Sequence, residues 1–194
     1  MAKVTSICVF CGSRMGMDPT HAQAALHLGT LLADRGIRLI YGGGGIGLMG
    51  QVAQATVDAG GQVTGIIPTF LQNYELGGPA EAEVIVVDSM HERKRMMFER
   101  ADAFVILPGG LGTLDEAIEI TTWKQLQRHQ KPIIFLNEGR YWNPFLALID
   151  HVVENGYGHG KVKELYSVVD TVEAVFDAIA AAPAPDEEVF TSHL

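Results

Sequence analysis

The stretch Pro108-Gly109-Gly110-Leu111-Gly112-Thr113-Leu114-Asp115-Glu116 has the residue types that hold an anion. It follows a strand-like run and opens a helix-like one. Glycines let the backbone curl so that several N–H groups point into one concavity, and a helix N-terminus adds partial positive charge. Together they make a phosphate cradle, with the Thr113 hydroxyl as a further donor. A structural reading competes. Thr113 and Glu116 also match the S/T-x-x-E capping box, which would tie the Glu116 carboxylate to the backbone. If Glu116 is not so tied, its carboxylate is available for catalysis. Asp115 beside it reads as a helix-dipole residue.

A second segment is Met90-His91-Glu92-Arg93-Lys94-Arg95. Charge runs usually form a solvated helix face. The chain has only 14 Lys plus Arg, however, and three stand in succession just after a strand end. That placement makes Arg93 and Lys94 candidates to clamp an anionic substrate, Arg through a fork and Lys as a point charge.

Gly42 to Gly50 contains Gly42-x-Gly44-x-x-Gly47, a dinucleotide fingerprint. Dinucleotide folds carry it after the first strand, with an acid at the end of the next. Here it follows the second strand, and the third ends Ile66-Ile67-Pro68-Thr69 without an acid. The reading left is a turn that lets backbone approach a ligand closely. No Walker lysine follows it. Cys8 and Cys11 form C-x-x-C, but Cys8 lies inside a strand and Cys11 at its end, so the side chains leave on opposite faces as core thiols. The seven histidines show no metal-like pairing. Neither a metal nor a cofactor is expected. Trp123 and Leu126 read as core or dimer contacts.

These turns need strands and helices to bring them together. Strand-like runs cover Val4 to Cys11, Ile37 to Tyr41, Gln62 to Ile67, Val84 to Val87, Phe104 to Leu107, Pro132 to Leu136, and Val168-Val169. Helices are expected over Pro19 to Asp34 with Asp18 as cap, Leu48 to Ala59, Met90 to Arg100, Thr113 to about Arg128, Pro144 to Asn155, and Val172 to Ala181. Pro68 to Glu83 reads as a long functional loop. Val- and Ile-rich strands without polar alternation are buried on both faces. Alternation with helices then predicts an α/β fold: a Rossmann-like, doubly wound, mostly parallel sheet in three α/β/α layers. Ligands in such sheets sit beyond the strand carboxyl ends, where the turns at Cys11 to Arg14, Gly42 to Gly50 and Pro108 to Glu116 should converge.

The chain has 194 residues, 47% hydrophobic, with a formal net charge of -9. The length suits one domain, taken as residues 1–181, with 182–194 a Pro- and acid-rich frayed tail. The acidic balance argues against a nucleic-acid partner. No apolar run reaches membrane-spanning length, and Met1-Ala2-Lys3-Val4 does not resemble a signal peptide, so the expected location is cytoplasmic.

Taken together, Phe10-Cys11-Gly12-Ser13, Tyr41-Gly42-Gly43-Gly44, Gly47-Leu48-Met49-Gly50, Met90-His91-Glu92-Arg93-Lys94 and Pro108 to Glu116 resemble the LONELY GUY family. Thr122-Trp123-x-Gln125-Leu126 and Lys131-Pro132 are similar too. The resemblance spans roughly Val4 to Val169. It implies a Rossmann-like homodimer that hydrolyses cytokinin riboside 5′-monophosphates, and in many bacterial relatives AMP, to free base and ribose 5-phosphate. The nucleoside 5′-monophosphate is then the partner to expect. By motif position, Arg93 and Glu116 carry over as the catalytic pair. Lys94, Gly110, Leu111, Gly112, Thr113, Leu114, Asp115 and Thr122 carry over as substrate contacts, and Glu75 from the variable loop. Members often bear the label lysine decarboxylase, which the sequence does not support. Arg14 stands where many members have a second Ser, and Gly45 replaces a frequent Ser. Two alternatives share these motifs: an AMP nucleosidase of nucleotide salvage, and a non-catalytic carrier of a nucleotide or phosphorylated cofactor.

Overall fold

A computed structural model describes residues 4–72 and 77–182. The Glu75 assignment and the expected tail from residue 183 onward lie outside the described residues.

Seven strands form one all-parallel sheet: β1 (Ser6–Phe10), β2 (Arg38–Tyr41), β3 (Val63–Pro68), β4 (Glu83–Val87), β5 (Ala103–Ile106), β6 (Ile133–Leu136) and β7 (Ser167–Val169). Among the described residues six α-helices connect or follow them: α1 (Pro19–Asp34), α2 (Gly47–Asp58), α3 (Met90–Arg100), α4 (Leu111–Gln125), α5 (Asn143–Glu154) and α6 (Val172–Ala181). The spatial order is β4-β3-β2-β1-β5-β6-β7. The winding therefore reverses between β1 and β5, and a cleft opens beyond the carboxyl ends of those two strands.

Each strand places alternate side chains on opposite faces, and both faces are covered. Ile7, Val9, Leu39, Val105 and Leu136 pack against Ala25, Leu28 and Leu32 of α1, Val52 of α2 and Val175 of α6. Cys8, Phe10, Ile40, Phe104 and Phe135 face the other way, against Met97 of α3, Ala117 and Ile120 of α4 and Phe145 of α5. This is the three-layer α/β/α arrangement expected. It also separates the two thiols as the strand period requires: Cys8 lies in one core, Cys11 in the other, and both are free.

Most elements begin and end where the local chemistry says. Asp18 Oδ1 accepts from the Thr20 N–H at 2.9 Å, with Pro19 in the first helical turn. Gly60, at φ +79°, stops α2. The exception is α4. It starts at Leu111 with Gly110 as N-cap, so Thr113 is already inside the first turn and Glu116 lies beyond it. The expected Thr113–Glu116 capping box does not form. The glycine turn enters the helix directly, and the first helical bond is Leu114 N–H to the Gly110 carbonyl at 3.0 Å.

Candidate active site

The cleft has a volume of about 720 Å³. Its walls come from the β1–α1 turn, the start of α2, the start of α3, and the β5–α4 turn. Two of these are locked together at the backbone. Gly12 N–H donates to the Pro108 carbonyl at 3.0 Å. A Cβ on Gly109 would lie 2.1 Å from Thr113 Oγ1 and 2.8 Å from Gly12 N, so only glycine fits there. Tyr141 steadies the same turn from outside, its hydroxyl donating to the Gly109 carbonyl at 2.6 Å.

Because α4 begins at Leu111, the N–H groups of Leu111, Gly112 and Thr113 have no acceptor within the helix. Cβ atoms on Gly110 or Gly112 would meet nothing within 4 Å, so the helix end is open to the cleft. Backbone N–H groups and the positive end of the helix dipole make this an anion site. The Thr113 hydroxyl is buried beneath Gly109. Leu111 and Asp115 line the cleft with the glycines, whereas Leu114 turns into the core.

The start of α2 is built differently. Its first amides, Leu48 N–H and Met49 N–H, both donate to the Gly12 carbonyl, at 3.0 and 3.3 Å. A carbonyl of the chain itself occupies the place a pyrophosphate takes in dinucleotide folds. Leu48 and Met49 reach the cleft, while Gly42 to Gly45 do not line it. The close approach these glycines allow is to protein instead of ligand: a Cβ on Gly42 would lie 2.0 Å from Arg93 Nη2.

Ser89 caps α3, its Oγ accepting from the Glu92 N–H at 3.1 Å. Arg93 then points inward, 6% exposed. Its Nε donates to the Ile66 carbonyl at 3.2 Å and its Nη2 to the Gly42 carbonyl at 3.1 Å. A buried guanidinium needs such partners, and here they lie within β3 and just past the end of β2. The arrangement fixes the plane of the guanidinium on the cleft wall. Glu116, 8% exposed, lines the same cleft from α4. The Cys11 thiol reports on both groups. Burial pushes it well up, Glu116 raises it further, and Arg93 opposes them. The pair named from the sequence thus lines one cleft.

Lys94 sits about 100° around the helix from Arg93. Its Nζ bonds Asp115 Oδ2 and Glu119 Oε1, each at 3.1 Å. Burial works to lower its pKa, but the hydrogen bonds to Glu119 and Asp115 outweigh it and the pKa is raised. Lys94 therefore braces α3 against α4 and does not line the cleft. Thr122 is exposed on the outer side of α4, also away from the cleft. Gly77, just past the position of Glu75, makes an isolated bridge to Gly44. The sequence gives no individual role in the site to His21, Met90 or Tyr141, and places Arg14 only at the end of a turn expected to converge on the cleft. All four line the cleft. His21 and Tyr141 stand in no recognisable motif, Met90 opens the segment that carries Arg93, and the β1/β5 junction gathers all four.

Among the described residues no group of three His, Cys, Asp or Glu is placed to hold a metal. No described helix is long and apolar enough to cross a membrane.

Fold and site define a Rossmann-like α/β protein whose switch point offers a phosphate-receptive helix end beside a buried Arg and Glu. The chain belongs to the family described as possible lysine decarboxylase, which matches residues 49–179, and within it to the LONELY GUY proteins. It is 43% identical over 191 residues to a cytokinin riboside 5′-monophosphate phosphoribohydrolase of Arabidopsis thaliana, covering 93% of this chain and 88% of that one. It is 48% identical over 151 residues to a probable cytokinin riboside 5′-monophosphate phosphoribohydrolase of Oryza sativa subsp. japonica, covering 78% and 68%. The fold also matches the molybdenum cofactor binding protein of Rippkaea orientalis, with a TM-score of 0.68, 22% identity, and 93% and 98% of the two chains covered. The Moco carrier protein of Chlamydomonas reinhardtii matches with a TM-score of 0.66, 21% identity, and 92% and 99% covered. At those identities the likeness is one of fold alone.

Proposed function

We propose that the protein is a phosphoribohydrolase that cleaves the N-glycosidic bond of cytokinin riboside 5′-monophosphates, and of AMP, releasing the base and ribose 5-phosphate. The observation that carries this reading is the placement of Glu116 and Arg93 in the lining of the cleft that the open α4 N-terminus faces. Glu116 lies five residues beyond Leu111 on the same helix, a rise of about 7.5 Å. A phosphate on the first turn therefore sets the ribose next to its carboxylate.

Departure of the base develops positive charge on C1′ and O4′ of the ribose. The Glu116 carboxylate stabilises that charge and accepts a proton from the water that attacks C1′. Arg93, held by two backbone carbonyls, keeps a fixed cation against the substrate without needing to reorganise. Among the described residues no lysine lines the cleft, which favours this hydrolysis over amine chemistry on a Schiff-base lysine. Gly110, Leu111, Gly112 and Thr113 contact the phosphate end of the substrate, and Asp115, its carboxylate held by Lys94, lines the cleft beside them. Lys94 and Leu114 act behind them by holding α4 in place.

The same reading includes a homodimer acting in the cytoplasm. Ile118 and Leu126 stand 49% and 57% exposed, with Thr122 between them at helical spacing, so α4 presents an apolar stripe for a second copy. Thr122, remote from the cleft of its own chain, reaches substrate only across such an interface.

The test is release of free base from AMP and from isopentenyladenosine 5′-monophosphate, with Glu116→Gln as control. Wild-type release that the variant loses, with nucleotide binding kept, is the expected result, and the rate ratio identifies the preferred base. Turnover retained by Glu116→Gln would overturn the assigned role.

A further inference from the structure

A 5′-phosphate carries about −1.5 to −2 charge at neutral pH, and a helix N-terminus supplies roughly half a positive charge. Cationic side chains of the cleft must supply the rest, and a mobile one can follow the phosphate where a fixed one cannot. Among the described residues the cleft lining carries two acids, Asp115 and Glu116, and two arginines, Arg14 and Arg93. Arg93 is buried, and its Nε and Nη2 are committed to the Ile66 and Gly42 carbonyls. The nearby Lys94 is committed to Asp115 and Glu119. Arg14 is different. It is exposed, lines the cleft, and pairs with no carboxylate among the described residues.

Its backbone is nonetheless held firmly. Gly47, at φ +62°, packs so closely that a Cβ there would lie 2.3 Å from Arg14 N. From the point where a Gly12 Cβ would stand, the Arg14 carbonyl oxygen and Gly109 Cα are each 3.3 Å away. Arg14 thus rises from the turn adjoining the glycine turn of α4, with a fixed base and an uncommitted guanidinium. That is the geometry of a side chain that closes over an anion once it is bound, through a fork suited to phosphate oxygens.

We propose that Arg14 is the phosphate-binding cation of this cleft, closing over the 5′-phosphate seated on the α4 N-terminus and setting the preference for phosphorylated over unphosphorylated nucleosides. The proposal rests on the phosphoribohydrolase reading for the identity of the ligand, and its test separates the two. Ribose 5-phosphate is titrated calorimetrically into the wild type, Arg14→Ser and Arg14→Lys. Base release from AMP and isopentenyladenosine 5′-monophosphate is measured on the same proteins.

In Arg14→Ser the ribose 5-phosphate Kd and the nucleotide KM should both rise about ten- to a hundredfold, with kcat falling far less. Arg14→Lys should recover part of the loss, as a point charge without the fork. Added salt should weaken binding to the wild type more than to Arg14→Ser. Ribose 5-phosphate affinity within about twofold of wild type in Arg14→Ser overturns the proposal and leaves the hydrolase reading standing. Arg14-dependent binding with no base released from either nucleotide keeps Arg14 and overturns the hydrolase reading. No ribose 5-phosphate binding by the wild type overturns the assignment of Arg14.

Discussion

Replacing Gly42 by Ala tests whether the second glycine turn exists to seat Arg93. The added Cβ would fall 2.0 Å from Arg93 Nη2, 3.1 Å from its Cζ and 3.1 Å from Met49 Sδ. Such contacts do not persist below about 3 Å, so the guanidinium must retreat by roughly 1 Å. The retreat breaks the Nη2 bond to the Gly42 carbonyl and tilts the plane that Nε fixes on Ile66. A hydrogen bond from a charged donor contributes about 1.5–3 kcal/mol, and each 1.36 kcal/mol is a factor of ten in rate. Misplacement by about 1 Å can itself cost a hundredfold. Gly42→Ala should therefore lower kcat/KM for base release by about ten- to a hundredfold. The Gly42 carbonyl remains, so the chain should still fold. The assay is steady-state kinetics paired with thermal unfolding. Gly160→Ala serves as control, since its Cβ meets nothing within 4 Å. Activity within about twofold of wild type in Gly42→Ala, with an unchanged Tm, would refute the argument that this glycine positions Arg93.

Two further substitutions probe different parts of the molecule. Gly112→Asp puts a carboxylate into the open space at the α4 N-terminus, where a Cβ meets no neighbour. It should raise the KM for a nucleoside monophosphate at least tenfold or so by like-charge repulsion while leaving Tm near wild type, and an unchanged KM would place the phosphate elsewhere. Lys124 is 2% exposed, and burial pushes its pKa down to about 8 from 10.5. The unfolded chain therefore binds the Lys124 proton more tightly than the folded one. The penalty is complete below about pH 8 and fades as pH rises toward 10.5. Lys124→Met should stabilise the fold by up to about 3 kcal/mol near pH 7, with the gain shrinking toward pH 10. Urea unfolding across that range checks it, and a gain independent of pH would contradict the titration argument.

Much of the architecture was legible because it depends on local chemistry and short periods. Asp18-Pro19 marks the start of α1, and α3 and α6 run over the residues that pattern and caps indicate. Unbroken Val and Ile runs announce strands buried on both faces, and alternation with helices leaves a parallel sheet as the economical arrangement. The capping-box expectation failed at α4 because two local solutions compete there. Thr113 could cap, but Gly110 can turn the chain into the helix three residues earlier, and the close packing of Gly109 on Gly12 and Thr113 favours that entry. That entry puts Glu116 beyond the capping position, where it lines the cleft.

By itself, then, the sequence determined the alternation of strands and helices, the glycine turns at strand ends, and the residue types for an anion and a developing cation. Local propensity and periodicity act over a few residues, and these features need nothing more. The tertiary structure decided which turns face ligand and which face protein. Gly42 makes room for Arg93, Gly43 packs on Ile67, the α2 N-terminus is closed by the Gly12 carbonyl, and the α4 N-terminus stays open. It also decided that His21 and Tyr141, 120 residues apart in the chain, share one cleft with Glu116. Those outcomes depend on strand order and on packing distances of a few ångströms between segments remote in sequence, which no local pattern encodes.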